Sequence, residues 1–345
     1  MRKLRSVLSA SVLSAAVLSA AILPAASLCG CQADSGNSGL TPVTLSEVAH
    51  SIFYAPQYAA IELGYFEEEG IDLTLVNGAG ADKVMTALIS GDADIGFMGS
   101  EASIYVYQQG SEDYAVNFAQ LTQRAGNFLV GREAKKNFSW QDLKGTKVLG
   151  GRAGGMPEMV FEYILKKNGI DPKTDLTIDQ SIDFGLTAAA FTSSDADYTV
   201  EFEPFATGLE QEGNGTVVAS LGVDSGYVPY TAYSAKKNYM EANPEIIQAF
   251  TNAIQKGLEY VNTHSSEEIA KIIKPQFAET DETKIAAIVE RYKAQDTWKN
   301  DTVFEKESFD LLQNILEEAG ELEARVPYED LVITAFSKTA AGVFE

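Results

Sequence analysis

Cysteine is almost absent from this 345-residue chain, and the two present, Cys29 and Cys31, lie close together near the N-terminus. A body without cysteine has no disulfide, no zinc–thiolate site and no thiol nucleophile. Histidine is as scarce, with only His50 and His264, which leaves little material for a histidine-based metal centre. Basic residues are outnumbered, 26 against 49 acidic ones, for a formal net charge of −23. Such a surface repels nucleic acid, which is held by basic patches. Beyond the first 26 residues no uncharged apolar run reaches the length of a membrane helix.

What is present begins with the N-terminus. Arg2, Lys3 and Arg5 precede the apolar, small-residue-rich run VLSASVLSAAVLSAAILPAA, and LCGC follows. A basic start, an apolar centre and small residues at a cut site describe a secretory signal peptide, expected over 1–30. The ending resembles a bacterial lipobox with Leu28 at −3, Gly30 at −1 and Cys31 as the lipidated residue; Cys29 then leaves with the signal. A true transmembrane anchor is the alternative. Residues 31–42 are polar and rich in Gly and Ser, and are expected to form a flexible tether.

The remainder alternates strand-like and helix-like segments. VTLSEVA has period two; Pro56 opens the helical PQYAAIEL and Gly64 closes it; IDLTLV is a strand, ADKVMTALIS a helix stopped at Gly91, and ADIGFM a strand. This βαβαβ order predicts a mostly parallel sheet flanked by helices. The same grammar restarts with TKVLGG, the helical MPEMVFEYILKKNG and DLTID. In addition, ALISGDADIGFMGSEA parallels AFTSSDADYTVEFEPF, placing Asp92/Asp94 opposite Asp195/Asp197. Two lobes of similar build are the reading; chance likeness of two helix–turn–strand units is the bland one. The C-terminal third reads as helices, with Ile247, Phe250, Ile254 and Leu258 on one stripe. The expected division is 43–126 plus 228–345 for the first lobe and 127–227 for the second, an α/β architecture with a cleft between lobes. Ligands of open α/β sheets sit beyond the carboxyl ends of strands, where HSIFYA, NGAGAD, MGSEAS, GGRAGGM, VEFEPF and GYVPYTAY fall.

The segments HSIFYAPQYAAIELGYFEEEGIDLTLV, MTALISGDADIGFMG and LKGTKVLGGRAGGMPEM resemble bacterial ABC-importer substrate-binding proteins, in the group covering nitrate, aliphatic sulfonates, taurine and thiamine pyrimidine precursors. The resemblance spans nearly all of 43–345. It implies a type II periplasmic-binding fold that closes on a small-molecule ligand and delivers it to permease and ATPase subunits. It implies no cofactor, no metal and no catalysis. A lipid anchor at Cys31 would hold such a monomeric receptor at the outer face of the cell membrane. One branch of the superfamily instead makes a pyrimidine from its own histidine; its cysteine-rich motif is missing here, and the reactive position falls near Tyr54.

The candidate ligand contacts are weighed against plainer roles. His50 ends the first strand, so it either meets ligand or bonds to backbone. Tyr54 has a polar tip suited to a wet pocket. Gly80, Met98, Gly99 and Ser100 belong to the loops after strands, as does Tyr230. Arg152, Gly154 and Gly155 form a glycine-rich entry to a helix, where free N–H groups suit a carboxylate, sulfonate or carbonyl. It lacks the nucleotide-loop spacing, and a simple tight turn is the alternative. Glu101, Glu201 and Glu203 follow strands in corresponding places; they suit an amine or aminopyrimidine edge and disfavour a bare anion, or else cap helices. Trp298 reads as packing. The ligand expectation is a heterocycle of the thiamine-pyrimidine type, with sulfonate, taurine or nitrate as alternatives and a pyrimidine-synthesising enzyme as the alternative of another class.

Overall fold

A computed structural model describes residues 39–182 and 185–343. The signal, lipobox and most of the tether lie outside the described residues. The described residues form one compact unit. It is built on two five-stranded sheets.

The first sheet has the order β2-β1-β3-β10-β4, with β1 at Thr41–Glu47, β2 at Ile71–Asn77, β3 at Ile95–Met98, β4 at Ala115–Thr122 and β10 at Thr231–Lys236. β1 runs parallel to β2 and β3, while β10 enters antiparallel between β3 and β4. The second sheet has the order β7-β6-β8-β5-β9, with β5 at Phe128–Gly131, β6 at Lys147–Leu149, β7 at Thr177–Asp179, β8 at Tyr198–Glu201 and β9 at Thr216–Ser220. β6 is parallel to β7 and β8, and β5 is antiparallel to β8 and β9. Thus both sheets share one plan. The chain passes between them twice, after Thr122 and after Ser220.

The duplicated Asp-Ala-Asp has a physical reason. Asp94 accepts the Thr44 N–H at 2.8 Å and returns its own N–H to the Thr44 carbonyl at 3.0 Å. In the second sheet Asp197 does the same with Lys147, at 2.9 Å in both directions. Each aspartate pins the start of its strand to the neighbouring parallel strand with a charge-assisted bond that backbone pairing alone would not supply.

Helices cover the sheets as the apolar periodicity predicts. Helix Pro244–Thr263 buries Ile247, Phe250, Ile254, Leu258 and Val261. Each such side chain contributes roughly 1.5–3 kcal/mol by leaving water. This helix crosses helix Ala55–Glu62 at Gly257, where a Cβ would stand 2.2 Å from the Pro56 carbonyl oxygen, so close packing requires glycine. Trp298 is buried and donates its Nε1–H to the Phe53 carbonyl at 2.8 Å, a packing role.

Candidate functional site

The carboxyl ends of β1, β3, β6 and β8 face a cavity of about 100 Å³. One water needs about 10–15 Å³ on this measure, so several waters or one small organic molecule fit. The first sheet's side supplies Tyr54, Gly80, Gly99 and Glu101; the second's supplies Arg152, Gly155 and Glu201; Tyr230 joins them from the second crossing segment. Phe202 and Phe205 add aromatic wall.

Glu101 is the first residue of helix Glu101–Gln108. It is buried, and its Oε2 has no hydrogen-bond partner. Burial pushes its carboxyl up to about 7; its own backbone, Arg152 and the Met156 backbone oppose this only in part. At neutral pH the group is divided between an acid that donates and a carboxylate that accepts. Its place depends on Gly99, since a Cβ there would lie 2.1 Å from Oε2. Glu201 ends β8 and is pushed to about 7 by burial as well, against hydrogen bonds from Thr199 at 2.7 Å and Thr187 at 3.0 Å. Two buried carboxyls on opposite walls make the interior hostile to a bare anion.

Asn127, in the first crossing segment, lines the same cavity. Its Oδ1 accepts the Tyr230 hydroxyl at 2.5 Å, and its Nδ2 has no partner. Arg152 stands at the rim, its side chain 54% exposed, with Nη2 4.0 Å from Asp82 on the other wall. An exposed pair of this kind contributes about 0–1 kcal/mol.

The other expected contacts are placed elsewhere. His50 is not among the residues that line the cavity. Its Nδ1 meets Glu47 Oε1 at 2.8 Å and its Nε2 meets the Gln276 carbonyl at 2.8 Å, while its ring lies 4.9 Å from those of Tyr58 and Phe277. Both nitrogens face acceptors, so the cation satisfies both. The Glu47 hydrogen bond raises its pKa, burial opposes this, and the Gln276 carbonyl raises it further. Glu47 is fully buried and also accepts from Gln57 at 2.7 Å and Tyr58 at 2.8 Å. Met98 packs among Val84, Leu88 and Ala102. Ser100 donates to the Pro229 carbonyl at 2.5 Å. Gly154 donates its N–H to Glu158 at 3.1 Å. Glu203, just before the N-cap Pro204, accepts from the Thr207 N–H and hydroxyl in the first turn of helix Phe205–Gln211, both at 2.9 Å, and pairs with Arg291 at 2.5 Å. Phe202 and Phe205 lie in the VEFEPF loop expected at the strand ends, although neither was singled out, while Asn127 and Thr187 line the cavity without having been expected there. Among the described residues no group of three or more His, Cys, Asp or Glu could hold a metal ion, and no helix is long and apolar enough to cross a membrane.

Comparison with known proteins follows the same lines. The family described as NMT1/THI5 like matches residues 52–268. YtlA of Bacillus subtilis (strain 168), itself only proposed to be a binding protein, is 46% identical over 293 residues, covering 85% of this chain and 88% of that one. The alkanesulfonate-binding protein SsuA of Xanthomonas axonopodis, solved with MOPS bound, superposes with a TM-score of 0.68 at 16% identity, covering 85% of this chain and 98% of that one. The nitrate-binding protein NrtA of Synechocystis PCC 6803 gives 0.71 at 16% identity, with 89% of each chain covered. The fold is that of the periplasmic binding proteins.

Proposed function

Because the chain belongs to the NMT1/THI5-like family, we propose that it is the extracytoplasmic solute receptor of an ABC importer and not an enzyme. In this reading it is made with a signal peptide, lipidated at Cys31 and tethered to the cell membrane as a monomer. Residues 43–126 plus 228–345 and residues 127–227 act as two lobes that close over a small solute and present it to the permease and ATPase.

The observation that carries this reading is the cavity at the strand ends, with apolar and aromatic walls and few buried polar groups. Such a site binds by desolvating a small ligand and orients it with a handful of hydrogen bonds. The buried carboxyls of Glu101 and Glu201 favour a heterocyclic amine of the thiamine-pyrimidine type. Sulfonate or taurine is the second reading, favoured by Arg152; its solvated setting weakens this, and the N–H groups of Gly154, Gly155 and Met156 at the start of helix Met156–Lys167 are engaged by Glu158, the Arg152 carbonyl and Glu101. For the catalytic alternative, the described residues contain no cysteine and no group of three or more His, Cys, Asp or Glu that could hold a metal ion.

A thermal-shift screen followed by calorimetry tests this, with aminopyrimidines, taurine, methanesulfonate and nitrate. An aminopyrimidine is expected to raise Tm and bind stoichiometrically without turnover. Stabilisation by the sulfonates alone would sink the heterocycle reading, and product formation would sink the receptor reading.

A further inference from the structure

The geometry points to Asn127 as the residue that reads the ligand, with Tyr230 holding its amide in one orientation, so that the solute must carry a hydrogen-bond acceptor in addition to the group that meets Glu101. This inference rests on the receptor reading above.

The first step concerns which end of the amide is free. Tyr230 and Asn127 are joined at 2.5 Å. That length belongs to O–H···O bonds, which run about 2.5–3.0 Å, and is short for N–H···O bonds, which run about 2.7–3.2 Å. The hydroxyl therefore donates to Oδ1, and the NH₂ is turned the other way. Both residues are buried, Asn127 at 1% exposure and Tyr230 at 3%, so the orientation is held in a dry environment. The Asn127 carbonyl is fixed as well, accepting the Leu221 N–H at 3.0 Å.

The second step concerns what the freed NH₂ does. It is a buried two-proton donor with no partner in a residue that lines the cavity. Buried donors without partners are rare because desolvation is not repaid, and one at a cavity wall is completed by whatever enters. The only other orphan polar atom among the lining residues, of the described residues, is Glu101 Oε2. Together they give one cavity a donor and a group that accepts or donates according to its protonation. A neutral solute presenting an acceptor and an N–H or O–H donor satisfies both; a saturated apolar solute satisfies neither. Asn127 precedes β5 and Tyr230 precedes β10, so the pair sits on both crossings between the sheets. Ligand recognition is thereby placed on the segments about which the lobes would move.

The test uses the wild-type protein with Asn127→Leu, Asn127→Asp, Tyr230→Phe and Asn127→Leu/Tyr230→Phe, probed with 4-aminopyrimidine, cytosine, taurine and methanesulfonate by calorimetry, and with apo Tm measured for each. Asn127→Leu is expected to weaken the bound probe at least tenfold and to lower apo Tm, because the Tyr230 hydroxyl loses its acceptor, whereas Asn127→Leu/Tyr230→Phe, which removes both partners together with the unsatisfied donor, should be no less stable than Tyr230→Phe alone. Asn127→Asp is expected to weaken the probe further, and Tyr230→Phe by a smaller factor, since the amide survives but can turn. An Asn127→Leu affinity within twofold of wild type, for any probe that binds, overturns the inference. If only sulfonates bind and Asn127→Leu weakens them, the heterocycle reading fails and the donor role stands. If no probe binds, apo Tm decides: an Asn127→Leu/Tyr230→Phe variant clearly less stable than Tyr230→Phe shows the amide to be structural and overturns the inference, and one equally or more stable supports it.

Discussion

Replacing Glu101 with glutamine gives a prediction whose size follows from its burial. In the folded protein the carboxyl is pushed from its ordinary 4.5 to about 7. A folded-state pKa above the unfolded one means that the native state holds the proton more tightly. The associated stability is complete below about pH 4.5 and is lost as pH rises through about 7. At about 1.4 kcal/mol per pH unit, the loss above pH 8 is about 3 kcal/mol relative to acid. Glutamine carries no proton to lose, so the E101Q protein escapes this loss. The two proteins should have similar Tm near pH 4.5, and E101Q should be higher by on the order of 5 °C at pH 8.5. Glu201 titrates in both proteins and cancels in the difference. Differential scanning calorimetry of the unliganded proteins across this range measures the effect. A Tm difference that stays constant with pH would show that Glu101 is ionised or solvated in the fold, and the account of the cavity as a dry site would fall with it.

Three further outcomes are expected. Gly99→Ala puts a methyl 2.1 Å from Glu101 Oε2 and should cost about 1–3 kcal/mol in denaturant unfolding, together with loss of ligand binding. An equal loss in a Gly99→Ala/Glu101→Ala double variant would refute the steric cause. Arg291→Ala strands Glu203, whose side chain is fully buried, and should cost about 3–5 kcal/mol, whereas neutralising both partners should cost less. His50→Ala should lower Tm more at pH 5.5 than at pH 9, because the raised pKa of His50 gives stability that is full below 6.5 and fades as pH rises through the folded value. With a side chain 32% exposed, the effect stays below about 1 kcal/mol, and a larger loss at pH 9 would reverse the argument.

Much of the fold was legible because it rests on local rules. Pro56 and Pro157 fall at the first turns of their helices, and the apolar stripe through Ile247 and Leu258 faces inward. The Asp-Ala-Asp echo was visible and has matching hydrogen bonds in both sheets. The site was legible in part for a different reason. Glu101 and Glu203 look alike in sequence, each just beyond a strand, yet Glu203 is engaged by Arg291, 88 residues away. His50 sits where a cleft residue should, but a carbonyl 226 residues along engages it. Distant partners of this kind leave no local pattern. Asn127 was missed for the opposite cause, since a missing partner can be recognised only once every neighbour is in place.

The position of β10 carries one more consequence. It lies between β3 and β4, although about a hundred residues separate it from β4 in the chain. While the chain is being made, the first sheet waits with a gap in its middle until Thr231–Lys236 arrives. By then every strand of the second sheet is already available. The half that starts first is therefore the half that finishes last, and in the interval β3 and β4 offer unpaired edges to anything nearby.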